Sequence, residues 1–250
     1  MHKMQLEDEK TWPVKVVAFL ERNEELFRNW KTRFKPIDPK EYDKAITHLR
    51  AILRDSDYTL QGYHCTRLTE EEIQSILVKG MSLPSAATLR ERIENLRQNG
   101  LIDSPTANYL LSKNEADDSN RAGMIWFCFF PPRVEGQLGI ERFFRSWGGE
   151  ALYNSHEDDK LSGHMLTKIG TPCLIEAYIP IESLAYHGGL DFKLIAHFLR
   201  NRGLKPDNPI EHEDRAQHKI PAENIIRVIR FHEPDFMKLT GCAKWKPVLS

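Results

Sequence analysis

Three stretches of the chain bring together residue types that do chemistry. In "YHCTR" (63–67) a strand would point Tyr63 and Cys65 to one face and His64 and Thr66 to the other. A histidine and a threonine on a polar strand face offer hydrogen bonds to a polar ligand. As plain structure, the same pair would be a bonded histidine at the core edge and a threonine that shapes a turn. In "NPIEHEDRAQHKIPAENIIRVIRF", Glu211 and Glu213 stand two apart and share a face of any strand they enter. That run is polar on both faces, which suits an edge strand or solvated loop better than a buried strand. In "FFRSWGGEALY", the pair Gly148-Gly149 ends one helix and permits an unusual backbone conformation. Glu150 then begins a new apolar-patterned turn, where a carboxylate complements the helix dipole. Trp147 and Tyr153 beside it suit a pocket for a flat ring.

The elements that must position these residues are legible from periodicity. Val16, Val17, Phe19, Leu20, Phe27 and Trp30 describe a first amphipathic helix, and Tyr42, Ile46, Leu49 and Ile52 a second, after the break at "KPIDP". Residues 1–55 thus read as a helical N-terminal region, and residues 56–250 as a mixed strand-and-helix domain. Strands are expected at 59–65, 124–130, 173–179 and 225–231, each rich in β-branched or aromatic residues. Behind "YHCTR", Thr69 with Glu72 is a capping box, Ile73, Ile76 and Leu77 form a docking face, and Gly80 stands at the helix end. Further helices are expected after Ser85 up to Gly100, from the N-cap pair Ser104-Pro105, and around 138–147 and 190–201. The connections are long and irregular rather than regular crossovers, so the fold class is α+β rather than a doubly wound sheet.

Composition narrows the function. With 35 basic and 36 acidic residues in 250, the net charge near −1 argues against a surface that grips nucleic acid all over. The start "MHKMQLEDEKTW" carries no apolar leader, and "MIWFCFFPP" is too short to span a bilayer, so a cytoplasmic protein with no membrane contact is expected. The four cysteines are scattered, three of them in apolar segments, which points to buried thiols rather than disulfides or zinc. "HEDDK" (156–160) has a metal-binding composition, but consecutive residues cannot all face one ion, so it reads as a charged loop and no metal is expected. No P-loop, G-x-G-x-x-G, G-x-S-x-G or H-E-x-x-H occurs, which weakens ATPase, Rossmann, serine-hydrolase and zincin readings. The basic and aromatic run "RNEELFRNWKTRFKP" (22–36) is a solvated helix face or a contact for nucleic acid or a partner protein.

The Tyr-His-x-Thr element at 63–66, the isoleucine-bearing helix ending in Lys-Gly-Met, and the following "LPS" resemble the opening motif of bacterial ADP-ribosyltransferase toxin families. The same segment is similar to the start of the poly-ADP-ribose polymerase fold. The likeness is confined to this short stretch. It implies an ADP-ribosyltransferase-like mixed β core in which His64 lies under NAD, touching the adenosine-side ribose. It also implies that the Cys65–Thr66 backbone holds the nicotinamide amide. Arg67 would meet a phosphate, as guanidinium groups do well, or else lie in solvent. Arg121, before the "GMIWFCFF" strand, is placed to do the same.

Cleaving NAD at its nicotinamide bond expels a cationic leaving group, so the reaction needs no general acid. It needs a carboxylate beside the developing oxocarbenium ion. Glu213 in Glu-x-Glu, eight residues before Pro221, resembles the family's glutamate motif; Glu150 is its rival, with Tyr153 beside it. The reading implied is transfer of ADP-ribose from NAD, the one cofactor and itself a substrate, to a nucleic acid or protein acceptor. The role would be that of an intracellular toxin or antiviral defence effector, with an antitoxin or regulatory protein on the helical N-terminal region. The alternatives are an NAD-dependent RNA 2′-phosphotransferase and a non-catalytic nucleotide- or partner-binding module.

Overall fold

Alternating apolar residues on long strands require both faces of a sheet to be covered, and the computed structural model shows how this chain does so. It describes residues 1–54, 57–134, 137–185 and 189–242, so the expected boundary at 55–56 lies outside the described residues. The N-terminal part holds β1 (His2–Met4), α1 (Val14–Arg22), α2 (Glu24–Thr32) and α3 (Pro39–Leu53). The central part runs through β2 (Tyr58–Leu68), α4 (Glu70–Lys79), α5 (Ala86–Gln98), α6 (Ser104–Ser112), β3 (Ile125–Cys128) and α7 (Gln137–Arg145). Two short helices, α8 (Glu150–His156) and α9 (Ser162–Leu166), precede β4 (Thr171–Pro180). The chain ends with α10 (Leu190–Asn201), β5 (Glu213–Ala216), β6 (Ile225–Arg230) and α11 (Pro234–Thr240).

The molecule is mixed α+β. Its sheet has the order β5-β3-β2-β4-β6, antiparallel throughout, and β1 adds a parallel pairing to the start of β2. The four expected strands are present. β1 was not expected: its three residues sit in a polar segment with no alternation long enough to read. The "EHEDRAQHK" run forms β5 at the sheet edge.

Strand parity divides the side chains between two faces. On the first lie Leu60, Ile125, Phe127, Ile175 and Ala177, packed with Val16, Phe19, Leu20, Phe27, Leu49 and Phe198 of α1–α3 and α10. On the second, Cys65, Cys128, Leu174 and Ile229 pack against Ile140 and Phe144 of α7 and Phe236 of α11. A third core of Leu89, Ile93, Leu110, Trp147, Leu152 and Leu166 joins α5, α6, α8 and α9.

Local signals fix several helix ends. Thr69 and Glu72 form the reciprocal capping box of α4, and Gly80 ends that helix at φ 79° with its N–H on the Ile76 carbonyl. A Cβ on Gly80 would stand 2.0 Å from the Ile220 carbonyl oxygen, so the position needs glycine twice over. The N-cap of α6 is Asp103 rather than Ser104: its carboxylate accepts from the Thr106 N–H at 2.9 Å, and the serine becomes the first helical residue. All four cysteines are buried, in keeping with their apolar surroundings.

Candidate functional site

The sheet is not evenly knitted. β2 pairs with β4 from Thr59 opposite Pro180 to Leu68 opposite Thr171, but with β3 only at Tyr63 opposite Cys128. Past that joint, toward Leu68 and Ile125, the ladder between β2 and β3 stops, and backbone groups there need other partners. His64 supplies one. Its Nδ1 lies 2.8 Å from the Trp126 carbonyl oxygen, and its ring lies 5.8 Å from that of Phe127. A carbonyl only accepts, so Nδ1 carries the proton and Nε2 the lone pair. Burial lowers the His64 pKa; the bond to Trp126 opposes this and the nearby Arg92 cation adds to it. The ring is neutral at pH 7. Nε2, without a protein partner among the described residues, is an acceptor for a hydroxyl. Thr66, half-buried, follows on the same face.

The segment before β3 leads into this gap in the ladder. Gly123 donates its N–H to the Pro84 carbonyl at 2.8 Å, which brings that segment against the start of α5. Here Arg121 pairs through Nη1 with Glu115 at 3.0 Å and Asp118 at 3.3 Å, and its Nε stands 3.5 Å from Glu150. Glu150, the first residue of α8, accepts the Tyr153 hydroxyl proton at 3.0 Å. Burial, reinforced by that carboxylate, raises the Tyr153 pKa, so the phenol stays protonated and keeps donating. The Arg142 guanidinium lies 4.4 Å from the Tyr153 ring centroid. Gly148 and Gly149, at φ 93° and 58°, turn the chain between Trp147 and Glu150. A Cβ on Gly148 would meet Leu152 at 2.4 Å, whereas Gly149 faces open space.

A charged group that sequence reasoning missed ties α4 and α5 to that turn. Glu72, read as a helix cap, accepts the Thr69 N–H at 2.8 Å, the fully buried Trp147 indole N–H at 2.9 Å and Arg92 Nε at 2.6 Å. Burial pushes the Glu72 carboxyl up, but Arg92 and these hydrogen bonds outweigh it, and its pKa is lowered. The Arg92 guanidinium also lies 4.6 Å from the Trp147 ring centroid. No sequence signal marks Arg92, because its partners lie 20 and 55 positions away on other elements.

Glu213 is elsewhere. Opposite Cys128 in β5, it belongs with Tyr63, Glu176 and Arg227 to a row crossing the second face of the sheet. Its carboxylate is 3.7 Å from Cys128 Sγ, and its pKa is raised by burial; the Cys128 contact opposes this and Glu211 adds to it. In the same row, Glu176, only 5 % exposed, is bonded by Gln61 and by Arg227 at 2.6 Å. His64 and Glu213 therefore point to opposite faces. The acid sharing His64's face is Asp214, 1 % exposed and aligned with His64 across Phe127.

Cys65 lies in the second-face core, and Arg67 is buried with it rather than in solvent. Arg67 donates to the Ile169 carbonyl at 2.7 Å and the Phe144 carbonyl at 3.2 Å. Parity thus puts His64 and Thr66 on one face and Cys65, Arg67 and Glu213 on the other, while Arg121, Glu150 and Tyr153 form a contact group of their own that reaches α7 through Arg142 and Phe143.

In "HEDDK", His156 is fully buried between Ser162 Oγ at 2.7 Å and the Lys113 carbonyl at 2.6 Å, while Asp159 caps α9 through the Leu161 and Ser162 N–H groups. In the basic run at 22–36, Arg28, Lys31 and Lys35 are paired with Glu24, Asp207 and Glu25, each at 2.8 Å, and Trp30 stacks on Tyr42. No described helix is long and apolar enough to cross a membrane. Comparison with known proteins gave no match: no family model, curated protein or solved structure is significantly similar to the chain.

Proposed function

We propose that the chain binds NAD where β2 and β3 part and transfers its ADP-ribose to a macromolecular acceptor, releasing nicotinamide. The observation that carries this reading is the single-point joint between the two strands, with a neutral His64 set beside it whose Nε2 has no protein partner among the described residues. Strands that stop pairing in the middle of a sheet leave backbone groups for other partners, a polar ligand among them. The histidine there offers an acceptor of the kind a ribose hydroxyl requires.

In this reading Glu150, rather than Glu213, is the carboxylate. It pairs with Arg121, is half exposed and is oriented by Tyr153, whereas Glu213 lies on the sheet face opposite to that of His64. The C1′–N bond of the nicotinamide riboside breaks and its electron pair leaves with the ring nitrogen, cancelling the positive charge there. Glu150 stabilises the cationic sugar left behind. The acceptor's nucleophile then bonds to C1′ and gives up its proton, to Glu150 or to water. The ADP-ribosyltransferase-like architecture and the cytoplasmic effector role belong to the same proposal.

The test is incubation of the purified protein with NAD labelled in its adenylate half, alone and with single-stranded oligonucleotides or a protein lysate. Release of nicotinamide together with label on an acceptor supports the reading. Intact NAD in every mixture, with no binding by calorimetry, would sink it.

A further inference from the structure

The two carboxylate oxygens of Glu150 have different surroundings. Oε1 accepts the Tyr153 hydroxyl at 3.0 Å, while Oε2 stands 3.5 Å from Arg121 Nε, longer than a good hydrogen bond. The bond that orients this carboxylate therefore comes from Tyr153. The Tyr153 ring is buried, with the Arg142 guanidinium 4.4 Å from its centroid and the Phe143 ring at 6.4 Å and 62°. Arg142 belongs to the last turn of α7 and Tyr153 to the first of α8, joined through the turn at Gly148 and Gly149. Glu157 holds Arg142 there by an ion pair, and its other oxygen lies 3.7 Å from Arg145. Among the described residues Arg142 has no ion pair with Glu150, so any influence on that carboxylate passes through the ring. A cation over a phenol ring polarises its O–H and makes it a stronger donor. Burial and Glu150 raise the Tyr153 pKa and the Arg142 charge opposes them, the sign that such polarisation requires.

We infer that Arg142 is a positioning residue: through the Tyr153 ring it strengthens the hydroxyl's bond to Glu150 and so fixes the pose of that carboxylate for the transfer reaction. The inference rests on the proposed transferase reading for the role of Glu150. The contact from Arg142 through Tyr153 to Glu150 stands on geometry alone.

The experiment measures nicotinamide release from NAD by wild type, Arg142→Lys, Arg142→Gln, Tyr153→Phe and the double variant Arg142→Gln/Tyr153→Phe, with circular dichroism to check the fold. A second readout needs no turnover. Ultraviolet resonance Raman difference spectra, each protein against its Tyr153→Phe counterpart, isolate the Tyr153 bands that report the strength of its hydrogen bond. Tyr153→Phe should lower kcat about tenfold and Arg142→Gln about threefold or more, each with KM within about twofold of wild type. Arg142→Gln should cost nothing further once residue 153 is phenylalanine, because its effect has no other route. Arg142→Lys, which keeps a charge beside the ring and guards against a variant that simply unfolds, should lie between wild type and Arg142→Gln. The Tyr153 bands should move toward a weaker donor in Arg142→Gln. Losses that multiply in the double variant overturn the inference, as do unmoved bands in folded Arg142→Gln. Moved bands in a protein that releases no nicotinamide refute the transferase reading alone.

Discussion

At the scale of single residues, protonation states make the sharpest predictions. His64 has a lowered pKa, and in the proposed mechanism its neutral ring accepts a ribose hydroxyl. NAD affinity should be flat above pH 7 and fall on the acid side, with its inflection below 6.5, the ordinary histidine value. His64→Ala should remove that inflection and weaken binding at every pH. Two other histidines report on stability. Burial holds His212 and His197 at pKa values of about 4; the Lys193 charge assists for His212, and the Arg200 charge for His197. The unfolded chain takes up protons first as pH drops through 6.5, so stability declines from there toward pH 4, by on the order of 3 kcal/mol per ring. Since His212 Nε2 is buried without a partner among the described residues, His212→Leu should be neutral or stabilising at pH 7 and should flatten part of the acid loss. Urea titrations at pH 7 and pH 4.5 measure both effects; a His212→Leu variant as acid-sensitive as wild type contradicts the assignment. None of this was visible in the sequence, because a histidine's letter does not say which of its nitrogens meets a carbonyl.

At the scale of elements, α4 concentrates the energetics. Glu72→Ala removes half of the capping box and leaves both Arg92 and the Trp147 indole without their acceptor. The expected loss is on the order of 3 kcal/mol, against about 1 kcal/mol for a cap alone. Thr69→Ala, which touches only the cap, should show the smaller figure in the same denaturation assay. The cap and the glycine stop were legible because they are local, within four residues and one turn. The second duty of Glu72 was not, since it depends on α5 and on the turn after α7. Parity also decides which face Glu213 takes. In a β-strand one residue decides the face, and nothing in "EHEDRA" states which of Glu213 and Asp214 turns inward. The register Phe127 opposite Asp214 settles it, and that register is a long-range fact.

At the scale of the whole molecule, the N-terminal helices and the sheet share one core. Met4, Leu6, Val16 and Phe27 are buried in the same cluster as Leu60, Ile175 and Ile179, and the fully buried Asp191 of α10 is held by Arg50 of α3 at 2.8 Å. Deleting residues 1–53 should therefore give an insoluble or unfolded product rather than a shorter active one, as expression and circular dichroism would show. The fold class was legible because the four apolar strand segments and the amphipathic helices announce themselves. The way the sheet opens was not, since a missing ladder leaves no mark on composition. The claim that the opening between β2 and β3 is the reaction site is tested most directly by nicotinamide release from NAD in wild type, Glu150→Gln and Glu213→Gln side by side. The account predicts a loss of about 100-fold or more in Glu150→Gln and a change within about threefold in Glu213→Gln, both variants folded. The reverse pattern, with Glu213→Gln inactive and Glu150→Gln near wild type, would contradict it.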